Sequence, residues 1–442
     1  MNVVIVGGGI AGLTAAWTLA DHGVRVMLLD ARHRPGGRMG SEIWRNRVID
    51  RGAQFFFRGY RVIPRLLADV GLADQLVAIS PHSAVLREGR FRRFNMCRPV
   101  SMMISGLLSW PGSYRFLRAL PPLSHAVGSL SVDDLACWAG LEASFGDAEA
   151  WTHEVFGPEV ASRFIEPLLR GLCFQELKRT SPTLPACLLA LALRRSNLLA
   201  LRGGVGALIQ AMSQRVTCRD DCPVQAVRPA GNGVETLLAS GAAIWSDYVI
   251  LATTASAAAN IWSPDSEAAG RLLRTPYSTT IQITLPCRGG HRMIPALRGV
   301  YGVLLPASES PLIAVLSFEG NRIRDRGAEG EVITLMLDDA PARELAQASD
   351  DDVLDRVVAE LENHLPGLAG NPLSALVMRW PEAVPLARPG HAQAIARWRK
   401  TLDPSSRVLL TGDYLNFPWS DGAAASGVWA ARWILQTALK VA

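Results

Sequence analysis

Short apolar runs separated by turn residues begin the chain. Residues 3–6 are all β-branched, which is typical of a parallel strand buried on both faces. A glycine turn and the small, apolar residues 13–20 follow. Arg25–Leu29 is a second apolar run, which ends at Asp30. This order of hydrophobic and polar positions predicts a β-α-β unit of about thirty residues.

The pattern changes several times along the rest of the chain. Residues 224–254 have strand character, with a hairpin turn at 231–233, and residues 408–410 form another apolar run before a closing helix at 423–439. Residues 60–200 predict mainly helices. Residues 275–385 predict strands with one helix at 351–364. We therefore expect two domains, each assembled from separate chain segments.

Composition supports a folded chain and narrows its partners. Apolar residues make up 49% and charged residues 19% of the chain, and this composition excludes a disordered protein. The length of 442 residues is more than one ordinary hydrophobic core accommodates. The 42 Arg and 3 Lys are scattered, so we expect no nucleic-acid partner. The seven Cys lack the spacing of a zinc site. We expect no metal, and reduced thiols in a cytoplasmic protein.

Two apolar stretches raise the question of a membrane. Residues 182–193 are too few for a spanning helix, which needs about 20. Residues 96–123 are interrupted by Arg and Pro. Buried helices around an apolar pocket explain both stretches, and so do helices that dip into one leaflet. A peripheral contact with the inner face of the membrane is therefore an open expectation.

The chemistry begins at the first turn. Gly7, Gly9 and Gly12 form a G-x-G-x-x-G pattern between the first strand and helix. These glycines permit a tight turn, a close approach of pyrophosphate and close helix–strand packing, while the helix N-terminus offers unpaired amides. Asp30 follows at the end of the second strand, where an acid accepts the ribose hydroxyl. The combination predicts dinucleotide binding.

Further small residues favour FAD over NAD. Gly36 and Gly37 let the chain fold over the dinucleotide a second time, with Arg38 beside the diphosphate. A later turn at Gly52 and Ala53 can approach a flavin ring. Near the C-terminus, two more pairs of small or acidic residues precede the closing helix. The N-terminal amides of that helix can reach the ribityl and pyrimidine end of the flavin. These pairs are Gly412 with Asp413 and Gly422 with Ala423.

Together these segments resemble the flavin amine oxidase and protoporphyrinogen oxidase superfamily, which includes carotenoid-type desaturases. The resemblance implies that they contact FAD, and that a backbone group at Val224 meets the adenine. At the position of Asp30, members of this superfamily more often have Glu. The implied fold is α/β. A Rossmann-like FAD-binding domain (1–60, 200–270 and 390–442) is interleaved with a mixed sheet-plus-helix substrate domain (61–199, its helical part, and 271–389).

Other segments indicate the branch. Residues 156–171, 379–391 and 412–415 resemble protoporphyrinogen-oxidase-like members. Amine oxidases of the family usually carry a Lys that holds a water at flavin N5, and some attach FAD to a Cys near the C-terminus. Residues 179–399 contain no Lys, and no Cys follows Cys287. We therefore expect non-covalent FAD and a protoporphyrinogen-oxidase-like enzyme.

Three function classes stay open. The first is an oxidase or desaturase that forms C=C or C=N in a bulky, largely apolar small molecule, with O2 or another electron acceptor. The second is an amine or amino-acid oxidase. The third is a non-catalytic member that binds proteins, as GDP-dissociation inhibitors of prenylated GTPases do. Flavin N5 would do the chemistry without an obligatory general base. The candidates for the substrate pocket, each with ordinary core packing as its alternative, are Phe55, Trp380, Asn416, Phe417 and Trp419.

Overall fold

The computed structural model describes residues 1–193, 197–287, 294–323, 331–369 and 375–441. Its strands are β1 (Asn2–Val6), β2 (Arg25–Leu29), β3 (Ser41–Trp44), β4 (Arg47–Asp50), β5 (Phe56–Phe57), β6 (Leu76–Ala78), β7 (His82–Arg87), β8 (Arg90–Asn95), β9 (Leu198–Leu201), β10 (Cys218–Arg219), β11 (Val224–Ala230), β12 (Gly233–Leu238), β13 (Ala243–Ser246), β14 (Tyr248–Leu251), β15 (Tyr277–Cys287), β16 (Val300–Leu304), β17 (Ile313–Phe318), β18 (Glu331–Leu337), β19 (Leu376–Pro385) and β20 (Val408–Leu410).

The helices alternate with these strands and crowd the stretch between β8 and β9. They are α1 (Ile10–Ala20), α2 (Ile63–Asp69), α3 (Ser101–Ser105), α4 (Trp110–Gly128), α5 (Ala139–Phe145), α6 (Ala148–Phe156), α7 (Pro158–Val160), α8 (Glu166–Cys173), α9 (Thr183–Leu193), α10 (Gly206–Ser213), α11 (Ala255–Ile261), α12 (Glu267–Leu273), α13 (Glu319–Arg322), α14 (Asp339–Glu344), α15 (Asp350–His364), α16 (His391–Thr401) and α17 (Ser420–Val441).

A five-stranded parallel sheet carries the predicted dinucleotide turn. Its order is β10-β2-β1-β14-β20, and every adjacent pair is parallel. Residues 3–6 of the central strand are buried, as their unbroken apolar run predicts for a sheet covered on both faces. The fold is mixed α/β, as predicted. Its strands come from three separated parts of the chain, because parallel neighbours need long crossover connections.

The second large sheet is mixed and has seven strands. Its order is β19-β15-β18-β17-β16-β7-β8, and only the β16–β7 pair is parallel. The predicted strands within 275–385 and the helix at 351–364, here α15, are confirmed. A core separate from that of the parallel sheet includes buried side chains of β15–β18 and α15. The exact domain boundaries stay a prediction.

The segment between residues 60 and 200 is mainly helical, but it also contributes strands that the sequence pattern missed. The hairpin β7–β8 pairs with β16 and forms an edge of the mixed sheet. Its outer strand is rich in Arg, which is how natural sheets protect an exposed edge and why its hydrophobic alternation is weak. Within the described ranges, no helix is long and apolar enough to cross a membrane. Almost all of α9 is buried.

Candidate cofactor and substrate site

The first glycine turn is closed by direct contacts between backbone segments. Gly7 has φ +110°, and a Cβ there would stand 2.7 Å from the carbonyl oxygen of Ala252, at the end of β14. A Cβ on Gly12 would overlap the carbonyl oxygen of Gly7. The turn therefore packs the start of α1 against two strand ends, and side chains at either position would separate them.

Gly9 differs from its two neighbours in the motif. It is the N-cap of α1, no described side chain caps this helix end, and its first turn carries no acid. Among the described residues, no atom lies within 4 Å of where a Gly9 Cβ would stand. The unpaired amides of the helix therefore face open space, which suits an anion such as the diphosphate of a dinucleotide.

Asp30 holds the glycine turn from the end of β2. Its carboxylate accepts hydrogen bonds from the Gly8 amide (2.6 Å) and the Arg32 amide (2.8 Å). A carboxylate has about four acceptor positions, so room remains for a ribose hydroxyl. The Asp30 carbonyl accepts from the amide of Cys222 (2.8 Å), which brings the start of β11 and Val224 to the same edge. The ribose and adenine contacts stay predictions.

Arg38 joins three separated segments. The Gly36 amide donates to the carbonyl of Gly8 (2.9 Å), so the second glycine loop folds over the first turn. The Arg38 guanidinium pairs with Asp413 at 2.7 Å and donates to the Ala383 carbonyl on β19 at 3.0 Å. Burial opposes the Arg38 charge, but Asp413, Tyr277 and Glu382 together outweigh it and raise the pKa of the guanidinium. The structure thus brings Gly37, Arg38 and Asp413 together.

The remaining predicted cofactor segments pack against the same region. The Ala53 amide donates to the carbonyl of Arg38 (3.1 Å), and a Gly52 Cβ would stand 2.7 Å from that oxygen. At the C-terminal site, the Gly412 amide donates to Ser426 Oγ (3.2 Å). Gly422 and Ala423 lie in the first turn of α17, where Gly422 has no room for a Cβ. The glycine turn, Asp30 and Gly412 follow the carboxyl ends of parallel strands, where open α/β sheets bind their ligands.

A buried ionic cluster connects the mixed sheet to the Gly52 turn. Arg322, at the end of α13, pairs with Asp50 at the end of β4 and with Glu319 (3.3 Å). Asp50 also accepts from the amide of Val205 (2.9 Å). All three charged side chains are almost fully buried. Burial opposes the Arg322 charge, but the carboxylates outweigh it and raise the pKa of its guanidinium.

Several buried polar atoms around these segments have no hydrogen-bond partner among the described residues. Gln282 on β15 donates through Nε2 to the Asp50 carbonyl (2.8 Å), while its Oε1 is unpaired. Trp380 Nε1 and Trp419 Nε1 also lack a hydrogen-bond partner, and Arg51 Nε approaches only Glu42, at 3.9 Å. Buried polar atoms are rarely left without partners. Together with the open glycine cradle, these atoms fit a large cofactor with polar edges, such as FAD.

The three predicted pocket residues near the C-terminus pack closely. The Asn416 side chain accepts from the Leu135 amide (2.9 Å) and donates to the Asp133 carbonyl (2.7 Å). Phe417 is fully buried, and its ring stacks on Trp419 with centroids 4.8 Å apart. The contacts of Asn416 and Phe417 favour their packing alternative. Trp419, which is partly buried, stays a pocket candidate.

Trp380 and Phe55 contact different neighbours of the turn at 50–54. Trp380 is buried on β19, with the guanidinium carbons of Arg32 (6.0 Å) and Arg51 (5.9 Å) over its ring. It therefore lies beside the cofactor loops. Phe55 contacts Phe57 edge-on, with ring centroids 5.6 Å apart. Their roles toward a substrate stay predictions.

Phe57 opens onto an apolar cavity between the helices. Its described lining contains no acidic or basic side chain, and Asn95 supplies the only amide. The predicted pocket residues are not part of that lining. The cavity is lined by Phe57, Phe94, Asn95, Met96, Pro99, Met102, Phe116, Leu120, Phe164, Leu168, Leu172, Leu188, Leu189, Ala192 and Leu193.

Comparison with known proteins identifies the family. A model of the flavin containing amine oxidoreductases matches residues 10–435, which is nearly the whole chain. The chain belongs to this family. It is therefore an FAD-dependent oxidoreductase, with a small-molecule substrate and an electron acceptor, and the predicted family and cofactor are confirmed.

Relatives of this flavin oxidoreductase extend over its full length. The coproporphyrinogen III oxidase of Mycobacterium tuberculosis is 27% identical, and the match covers 96% of each chain. The crystal structure of a candidate protoporphyrinogen oxidase from Exiguobacterium sp. 255-15 has a TM-score of 0.76 at 20% identity and covers 98% of each chain. A wild-type putrescine oxidase bound to putrescine has a TM-score of 0.76 at 14% identity, covering 99% of each chain. These structures show a shared fold.

Sequence reasoning missed several residues of this flavin oxidoreductase that the fold places at the site. Arg322, Glu319 and Gln282 join Asp50 only through side-chain contacts between segments that are distant in the chain. One signal was present. Glu319-x-x-Arg322 follows directly after the apolar strand β17, and paired charges beside a buried strand suggest a buried ionic contact.

Proposed function

We propose that the enzyme oxidises a porphyrinogen-type tetrapyrrole or a similarly bulky, conjugated apolar substrate. The observation that carries the proposal is the apolar cavity of about 50 Å³ behind Phe57, which admits one edge of such a ring and whose described lining has no acid to hold an ammonium ion. A charged amine would lose its hydration there without an ionic partner, and so would a carboxylate, since the described lining has no basic side chain either. The cavity therefore suits the uncharged ring of the substrate, with any propionate groups outside it. The full-length likeness to coproporphyrinogen III oxidases gives independent support.

The chemistry required of the protein is modest. When bound, FAD accepts a hydride from a C–H bond of the substrate and passes the electrons to O2 or another acceptor. For a porphyrinogen, the hydride leaves a bridging CH2 group and a pyrrole N–H loses a proton, which leaves a new C=C in conjugation. The residues around the site bind and orient the two molecules and exclude water.

We assign these tasks to separate parts of the site. The amides at the start of α1 and the Arg38–Asp413 pair hold the phosphate and sugar parts of FAD. Asp50, fixed by Arg322, holds the turn that carries Gly52 toward the flavin ring. Phe57 and the other cavity side chains provide an apolar surface for the substrate ring.

Substrate choice is tested by anaerobic stopped-flow bleaching of the bound flavin. Coproporphyrinogen and protoporphyrinogen should reduce the flavin and, once an electron acceptor is supplied for the remaining two-electron oxidations, yield fluorescent porphyrins, whereas putrescine and cyclohexylamine should do neither. Fast reduction by primary amines, with porphyrinogens inert, would overturn the proposal in favour of an amine oxidase.

A matched pair of variants tests the cavity. Phe164 lines it and contacts Phe116 edge-on (5.5 Å), whereas Phe156 packs on the same Phe116 (6.0 Å) from outside the lining. Phe164→Leu should raise KM for the accepted porphyrinogen several-fold, and Phe156→Leu should leave KM unchanged. Equal effects of both variants would mean that the cavity does not contact the substrate.

We also propose that FAD is held without a covalent bond. No Cys follows Cys287, so the C-terminal attachment used by some relatives has no thiol here. Acid or heat denaturation should release all of the flavin into the supernatant. Yellow colour that remains with the precipitated chain would contradict this.

A further inference from the structure

The two faces of the mixed sheet differ in chemistry, although both are buried at β15. Ile281 and Ile283 belong to the apolar core that β15 shares with α15. The alternate residues Thr280, Gln282 and Thr284 are also buried, but they are polar, and they lie on the opposite face because side chains alternate along a strand. We call the side of the sheet that carries these three residues the polar face.

The polar face continues across the neighbouring strands, and its hydroxyl groups are satisfied within the sheet. Thr284 pairs in register with Thr334 of β18, and their hydroxyl oxygens are 3.1 Å apart. Thr334 in turn pairs with Ser317 of β17, whose hydroxyl donates to the Thr334 carbonyl (3.0 Å). The Thr280 hydroxyl donates to the Leu337 carbonyl (2.7 Å). These residues therefore need no further partner.

Gln282 is satisfied at one end only. Its Nε2 donates to the Asp50 carbonyl (2.8 Å), and because only the nitrogen of the amide can donate, this bond determines which way the amide is oriented. Gln282 is fully buried, and its Oε1 has no donor among the described residues. A buried acceptor without a donor is destabilising, so this oxygen calls for an N–H or O–H group of a bound molecule.

Gln282 is tied to the cofactor part of the site. Asp50, whose carbonyl it binds, begins the turn that carries Gly52, and the Asp50 carboxylate is held by Arg322. The amide of Gln282 is therefore fixed against the turn that we assign to the flavin ring.

The same turn also leads to the apolar cavity. Gln54 accepts through Oε1 from the Tyr301 hydroxyl (3.2 Å) and from the Ser317 hydroxyl of the polar face (3.5 Å). The Phe55 ring contacts Tyr301 edge-on, with centroids 6.3 Å apart, and it contacts Phe57, which lines the cavity. The polar face thus lies where the cofactor turn meets the wall of the cavity.

The part of a flavin that must face its substrate is N5, because N5 accepts the hydride. N5 carries no hydrogen in the oxidised flavin and carries an N–H in the reduced flavin. We propose that Gln282 Oε1 accepts a hydrogen bond from the N5–H of reduced FAD and thereby raises the reduction potential of the bound cofactor. The other ring donor, N3–H, belongs to the pyrimidine end, which we assign to the start of α17. The inference rests on the proposed position of the flavin ring beside Gly52, and it does not depend on which substrate is oxidised.

The test is the reduction potential of the bound flavin, measured by equilibration with a redox dye. Gln282→Met has a similar length but no acceptor, so its affinity for reduced FAD should fall about tenfold relative to its affinity for oxidised FAD. For a two-electron couple this corresponds to a potential lower by about 30 mV. In 5-deaza-FAD a carbon replaces N5, so the variant should bind the two redox forms of this analogue with the same relative affinity as the wild type.

The chain offers a matched control two residues along the same strand. Thr284→Val removes a hydroxyl from the polar face and should leave the potential unchanged. The wild type gives a second readout that needs no variant. With FAD labelled with 15N at N5, the N5–H proton of the reduced enzyme should resonate downfield of that in free reduced FAD.

Each other outcome decides against the proposal. An unchanged potential in Gln282→Met, or an N5–H resonance at the position of free reduced FAD, overturns it. An equal loss of affinity for both redox states would point to N3–H instead, and a raised KM at a normal potential would point to an N–H of the substrate. A lowered potential in an enzyme that does not oxidise porphyrinogens would sink the proposed substrate and leave the role of Gln282 intact.

Discussion

Two parts of the cofactor region are built in opposite ways. Around Gly7 and Gly12 the site exists because side chains are absent, and backbone segments of β1, α1 and β14 meet directly. Around Arg322 it exists because full charges are buried and paired, with Asp50 and Glu319 as partners. A substitution that adds side-chain volume should therefore disrupt the glycine turn, whereas one that leaves a buried charge without a partner should disrupt the ionic cluster.

The largest effect should follow from breaking the ionic cluster. Arg322→Met leaves Asp50 and Glu319 buried without their cation, so we expect a loss of about 3–5 kcal/mol in the free energy of unfolding. Urea denaturation measures this. Arg356 pairs with Glu344 at the surface, where both are about half exposed or more, so Arg356→Met should change stability by less than about 1 kcal/mol. Similar values for the two variants would remove the distinction drawn between the regions.

Substitution of Trp419 tests whether a side chain positions the substrate at the flavin-facing end of the site. If it positions the substrate, Trp419→Ala should slow flavin reduction about 100-fold while FAD binding stays unchanged. If Trp419 serves only to pack against Phe417, the variant should instead have a lower Tm and reduce its flavin at the normal rate. Anaerobic stopped-flow and thermal melting separate the two outcomes.

Asp30 connects the glycine turn to the ligand. Asp30→Ala should weaken FAD binding by about 1–3 kcal/mol, because it removes a charged hydrogen-bond acceptor. It should also lower the stability of the FAD-free protein, since the Gly8 and Arg32 amides lose their partner. Turnover at saturating FAD should change little. Unchanged affinity in a flavin titration would show that another acid binds the ribose.

Substitution by Ala, which adds a single methyl group, distinguishes the roles of Gly12 and Gly9. Gly12→Ala should destabilise the FAD-free protein by about 1–3 kcal/mol, because its Cβ overlaps Gly7. Gly9→Ala should leave that stability unchanged, since its Cβ meets open space, yet lower FAD affinity on the order of tenfold. Thermal melts without FAD and flavin titrations test both. A stable Gly12→Ala protein with normal affinity would refute the packing argument.

The sequence by itself determined the parts that depend on local chain geometry. The strand, glycine turn, helix and acid from Asn2 to Asp30 are contiguous, so their spacing alone predicted the fold class and the dinucleotide site. Apolar, strand-like runs likewise predicted β15, β17 and β18 of the mixed sheet, but not β16 or β19. The weakly alternating edge hairpin β7–β8 was missed.

Only the tertiary structure decided what lies far apart along the chain. Arg322 meets Asp50 across 272 residues, and Asn416 meets Leu135 across 281, through contacts that no local pattern encodes. For the same reason an aromatic residue near the cofactor motifs, such as Phe417, looks identical in sequence whether it faces a substrate or the core. Burial and hydrogen bonding distinguish the two, because both depend on which distant segments fold against the residue.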